Sequence, residues 1–187
     1  MNRNQNTVAI LPFSVLIPAL QVIGFALLTA IAAQFRIPLP FTPVPITLQT
    51  LVVLLGGAIL GWKKGAASQS LYLVWGIIGA PLFSGGSFGL MILAGPTGGY
   101  LVGFIAAALT AGYLAPRCRT YIQLNFALLA SSLVILGLGT THLTFVVGMS
   151  WSAAFLAGFL PFLPGEVIKV VAAAGIVKAY KRYSNRS

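Results

Sequence analysis

Long apolar runs, broken by short polar or basic clusters, set the pattern of this chain. Apolar stretches run from Phe13 to Gln34, Ile46 to Leu60, Ala66 to Ile78, Pro96 to Ala115, Tyr121 to Val147 and Pro164 to Tyr180. About 20 apolar residues make a helix that crosses a bilayer. The pattern predicts six transmembrane helices in one domain over residues 1–187, an all-α integral membrane protein. The second run is short and is expected to begin within the membrane. The fifth is long enough to tilt or to break near Gly137, Gly139 and Thr140. Residues 149–160 read as a short interfacial helix anchored by Trp151.

Two stretches between these runs cannot be regular helix. Residues 35–46 carry prolines at 38, 40, 43 and 45, which favour extended backbone. Residues 79–99 hold seven glycines and two prolines. Irregular backbone at membrane depth must be covered by protein or line a cavity, so both are expected as lids over the bundle. The stripe of Gly99, Gly103, Ala107 and Ala111 predicts a close helix–helix contact. Ala26 and Ala30 form a second small pair, which suits either internal packing or a meeting with another protein. Gly61 to Gly65, with Trp62, Lys63 and Lys64, reads as a tight basic turn.

Composition sharpens this picture. Hydrophobic residues make up 58% and charged residues 6%, far from the roughly 25% charged of a globular chain. The net charge of +10 comes from basic clusters between apolar runs, which points to membrane lipid headgroups and not to nucleic acid. Nine of the eleven Lys and Arg residues, Arg3 and Arg186 among them, fall before run one, between two and three, between four and five, and at or after the end of run six. The positive-inside rule then places both termini in the cytoplasm of a multi-pass protein of the cell membrane, with the two irregular stretches outside. Phe13 to Ala33 could be scanned as a signal peptide, with Ala30-Ile31-Ala32 as its cleavage site. Its length and the single Arg3 before it read better as a span. Cys118 is the one cysteine, so no internal disulfide forms.

The candidate chemistry centres on Glu166, the one acidic residue of the chain, with Lys169 three positions on. That spacing puts both on one helix face. A charge in an apolar span costs several kcal/mol on some scales and marks a functional site by default. The competing reading is a structural pair, Glu166 capping its helix after Pro164. In a binding site, Glu166 accepts N–H donors and Lys169 supplies positive charge. Gln49, Ser87, Thr97 and the backbone of Gly86 can serve a carbonyl, while Phe41, Phe83, Phe88, Tyr100 and Trp75 can pack an apolar body. The ligand is then small, partly apolar, with N–H donors and an acidic end. There is no second carboxylate, no zinc motif and no Asp for a catalytic triad, so the chain reads as no enzyme, with no metal and no cofactor. No phosphate-binding G-x-x-x-x-G-K-[ST] loop occurs. His142 reads as a satisfied interfacial group before a ligand or proton relay.

Four motifs occur in order: Pro43-Val-Pro-Ile-Thr-Leu-Gln49, Gly79-x-Pro81-x-Phe83-x-Gly85-Gly86-x-x-Gly89, Gly95-Pro-Thr-Gly-Gly-Tyr100-Leu-x-Gly103-Phe104 and Pro161-Phe-Leu-Pro-Gly-Glu166-x-x-Lys169. Together they resemble BioY proteins, the substrate-binding S components of biotin transporters of the energy-coupling-factor type. The resemblance implies a six-helix S-component fold, biotin capture from outside, and partners: a transmembrane coupling protein and a pair of ATPase subunits. It implies that Glu166 and Ser87 hold the ureido ring and that Lys169 helps hold the carboxylate. It also implies that Ala26 and Ala30 match the small-residue surface facing the coupling protein. Two departures stand out. Glutamate replaces the family's aspartate, and Leu101 stands where many members have arginine, which leaves Lys169 or Arg36 as the cation. Two other readings remain: a solitary biotin carrier without the ATPase module, and a ligand-free membrane scaffold.

Overall fold

The computed structural model describes residues 13–184; Arg3 and Arg186 lie outside the described residues. Eight helices follow in order: α1 (Phe13–Gln34), α2 (Gln49–Leu60), α3 (Trp62–Ile77), α4 (Met91–Ala94), α5 (Gly98–Leu114), α6 (Tyr121–Phe145), α7 (Trp151–Gly158) and α8 (Leu163–Ser184). Two-residue strands, β1 (Arg36–Ile37) and β2 (Ile46–Thr47), pair antiparallel and close the proline-rich segment into a flap. α1, α5, α6 and the combined α7–α8 stretch are long and apolar enough to cross a membrane. The molecule is a multi-pass, all-helical membrane protein.

α2 is shorter than its predicted run, at 12 residues, while α3, at 16, starts four residues before the predicted Ala66. At 1.5 Å per residue they rise about 18 and 24 Å, against a hydrocarbon thickness of about 30 Å. The reason for α2 lies in the preceding prolines: the chain stays extended through Thr47 and turns helical only at Gln49. The basic turn expected over 61–65 is smaller than its sequence suggests. Gly61 alone makes the corner, at φ +80°, and Trp62, Lys63 and Lys64 already form the first turn of α3.

α5 is the central helix, packed by α6, α3 and α2, while α8 closes on α2 and α6 and α1 on α3 and α2. The small-residue stripe makes this possible. Gly103 sits so close to Ile135 of α6 that an added Cβ would lie 3.0 Å from its Cα, and at Gly57 of α2 it would lie 2.6 Å from the Ala108 carbonyl of α5. α6 runs unbroken through Gly137, Gly139 and Thr140. A capping box starts it, with the Gln123 N–H donating to the Thr120 hydroxyl at 3.1 Å and the Thr120 N–H to Gln123 Oε1 at 3.3 Å.

The core divides along the bundle. At the basic end Leu54, Ala58, Ala111, Leu128, Ala173 and Val177 pack a dense cluster of small and aliphatic side chains. At the opposite end a cluster around Tyr72, Phe83, Tyr100, Phe104 and Phe162 surrounds a cavity.

Candidate functional site

The cavity, about 210 Å³, opens under the flap and the glycine-rich loop. Its walls are Val44, Phe83, Tyr100, Phe104, Ile135 and Phe162. Phe83 is held edge-on against Tyr72 at 5.6 Å, and its ring lies where a Cβ on Gly76 would be. Tyr100 donates its hydroxyl to the Gly158 carbonyl at 2.6 Å, which fixes the α7–α8 corner, and Phe162 with it, against α5.

The buried end carries the charge. Glu166 is 1% exposed. Its Oε1 accepts from Lys169 Nζ at 2.6 Å and from the Thr50 hydroxyl at 2.9 Å, and its Oε2 accepts from the Ser132 hydroxyl at 2.5 Å. Lys169 also donates to Thr50 Oγ1 at 2.9 Å. α8, α2 and α6 thus meet at one carboxylate. These bonds offset the desolvation that burial of two charges costs. Glu166 does not cap its own helix: its oxygens are turned to α2, α6 and Lys169.

The other end is more open. Arg36 reaches it from β1, exposed as a residue but lining the cavity, with its guanidinium against Gly85. Gly85 stands at φ +75°, which favours glycine, and the Arg36 guanidinium fills the space beside it that a Cβ would take. Ser84, Ser87 and Thr97 complete this rim. The Ser87 hydroxyl donates to the Ser84 carbonyl at 3.0 Å. The last turn of α1 holds both covers: Gln34 Nε2 donates to the carbonyls of Leu82 and Phe83 at 3.5 and 3.3 Å, and Arg36 pairs with Thr47 in the flap.

Of the residues singled out from sequence, the fold brings Glu166, Lys169, Gln49, Ser87, Phe83, Tyr100 and Thr97 to this cavity. Gln49 is engaged there: its amide donates to the Tyr72 hydroxyl at 2.8 Å and its carbonyl accepts from the Thr47 hydroxyl at 3.1 Å. Phe41 and Phe88 do not reach it. They are 63% and 57% exposed, Phe41 at the outer turn of the flap and Phe88 just past the loop that Phe83 N–H closes onto the Ser87 carbonyl. Gly86 and Trp75 stand outside the lining, Trp75 packed on the surrounding core. Ala26 is fully buried and Ala30 nearly so, in the internal packing of the bundle, so neither offers a surface to another protein. His142 Nε2 lies 3.0 Å from the Gly95 carbonyl, a tie between α6 and the loop before α5. No group of three metal-ligating side chains occurs among the described residues.

Thr50 and Ser132 were not singled out from sequence. Thr50 is the one hydroxyl of α2, and Ser132 is one of two adjacent serines on α6. The adjacent Ser131 donates to its own helix at Ala127, and sequence does not distinguish the two serines.

A family model described as the BioY family matches residues 5–186. The biotin transporter BioY of Rhizobium etli is 38% identical over 163 residues, covering 82% of this chain and 87% of that protein. The biotin transporter BioY of Thermotoga maritima is 37% identical over 158 residues, covering 84% and 92%. A crystal structure of the S-component for biotin from an ECF-type ABC transporter superposes with a TM-score of 0.83 at 23% identity, over 97% of this chain and 95% of that one. The fold is shared with that S-component.

Proposed function

The chain belongs to the BioY family, and from that premise we propose that its cavity captures biotin from outside the cell as the substrate-binding subunit of a biotin transporter. One observation carries the assignment to this cavity. An ionised carboxylate has about four acceptor sites and an ammonium three donors. Glu166 has three of its acceptor positions filled, and Lys169 two of its donors. The pair therefore has one acceptor and one donor left, side by side in the cavity wall, the complement of an N–H next to a carbonyl. The ureido edge of biotin has that pattern. Its ring sulfur and alkyl chain suit the aromatic walls, and its carboxylate suits Arg36 at the rim. Lys169 is then a ureido contact, because its ammonium is committed to the buried end beside Glu166.

Six crossings follow in this reading, with the extended residues 46–47 leading into α2. The basic end, with Lys63, Lys64, Arg117, Lys178, Lys181 and Arg182, faces the cytoplasm together with both termini. A transmembrane coupling protein and a pair of ATPase subunits supply the energy, which agrees with the missing nucleotide loop. They dock on a face other than Ala26 and Ala30, which are buried.

Calorimetry on the purified protein in detergent tests this, with biotin and a biotin amide lacking the free carboxylate. Tight biotin binding, weakened for the amide, supports both ends of the site. Equal binding of the two would keep the Glu166–Lys169 end and discard Arg36. No binding by folded protein would overturn the biotin assignment and leave a structural pair in a scaffold.

A further inference from the structure

Far from the cavity, a second concavity opens on the outer surface at the basic end, between the start of α3 and the end of α5. It is about 450 Å³ and is lined by Trp62, Leu109, Thr110, Tyr113 and Leu114. Thr110 spends its hydroxyl on the carbonyls of Ala106 and Ala107, so the walls are effectively apolar. Its two aromatic edges each carry a cation. Lys63 Nζ lies 5.1 Å from the centre of the Trp62 ring, and the Arg117 guanidinium lies 3.6 Å from that of Tyr113.

We propose that this groove binds one anionic glycerophospholipid, an acyl chain between Trp62 and Leu114 and the phosphate between Lys63 and Arg117. Charge complementarity selects the occupant. The chain has eleven Lys and Arg side chains and a single carboxylate side chain, Glu166. That carboxylate is buried and bonded to Lys169, so no side chain of this protein can neutralise Lys63 or Arg117. Two cations beside an apolar slot with aromatic edges, in a multi-pass membrane protein, match a lipid with a negative headgroup. Arg117 also donates to the Tyr113 carbonyl, with one of the five N–H donors of its guanidinium; other cations at this end are placed differently. Lys64 donates to Gln21 at 2.8 Å and Lys181 to the Ala115 carbonyl at 3.0 Å. Lys178 Nζ lies 5.2 Å from the centre of the Tyr121 ring, beside another apolar slot, but as one cation on one aromatic ring, where the Trp62 groove has two of each.

Brominated lipids quench tryptophan on contact, so the probe is the full chain in detergent titrated with dibromo-phosphatidylglycerol or dibromo-phosphatidylcholine. Trp62 is isolated by subtracting the W62F variant, which leaves Trp75 and Trp151. The expected result is saturable quenching of the Trp62 component, about ten-fold tighter for the glycerol than for the choline lipid. K63Q/R117Q should remove most of that preference. L109F, which keeps both cations and fills the slot, should weaken both lipids. Inorganic phosphate at millimolar concentration should not compete. Equal affinity for the two lipids, an unchanged preference in K63Q/R117Q, or full competition by phosphate alone would overturn the proposal. Size-exclusion and melting profiles verify that each variant is folded.

Discussion

The two ends of this bundle solve the packing of the same helices in opposite ways. At the basic end α2, α3 and α5 touch backbone to backbone: a Cβ on Gly112 would lie 2.3 Å from the Trp62 nitrogen, and one on Gly65 2.8 Å from the Gly57 Cα. Small residues leave little space there, and the buried Ser68 beside them spends its hydroxyl within its own helix, on the Gly65 carbonyl at 2.7 Å. At the other end large rings hold the helices apart, irregular segments cover them, and buried polar groups bond across helices: Gln49 to Tyr72, and Glu166 to Thr50 and Ser132. One end is a clamp and the other a vessel. Close packing of small residues gives rigidity, whereas a vessel needs walls that keep their distance and polar groups with spare valence.

Breaking the vessel at its charge has the largest effect. Glu166→Ala should weaken biotin binding more than ten-fold, about 1.4 kcal/mol or more. It should also cost about 3–5 kcal/mol of stability by stranding Lys169, visible as a lower melting temperature. The double variant Glu166→Leu with Lys169→Met should restore the melting temperature and still not bind, which separates site from scaffold. Breaking the clamp should do the reverse. Gly57→Ala forces a Cβ to 2.6 Å from the Ala108 carbonyl. It should lower stability by about 1–3 kcal/mol in melting experiments while the dissociation constant for biotin stays put. Ser132→Ala sharpens the comparison from inside the vessel: loss of one bond to a charged group costs about 1.5 kcal/mol of stability, read as a lower melting temperature. The smallest effect is at the rim, where Arg36→Gln should weaken biotin about three-fold, as an exposed ion pair does, and leave the biotin amide unaffected.

Glu166 and Lys169 could be read from sequence because charge in an apolar helix has few explanations. The irregular segments were equally visible through their prolines and glycines. Direction was not. Phe83 and Phe88 are both aromatic residues of one glycine loop, and only the left-handed turn at Gly85 and Gly86 decides that the first faces in and the second out. Ala26 and Ala30 announce a close contact but not with what, and here it is the rest of the same bundle. Hydroxyl partners such as Thr50 and Ser132 are legible only once three helices are placed in register around Glu166.

Gln34 and Arg36 stand two residues apart, yet one grips the glycine loop and the other anchors the flap. Both covers of the cavity thus hang from the tip of a single rod. Two covers that look separate in the sequence therefore share one anchor, the end of α1, beside their own joints to α2 and α3.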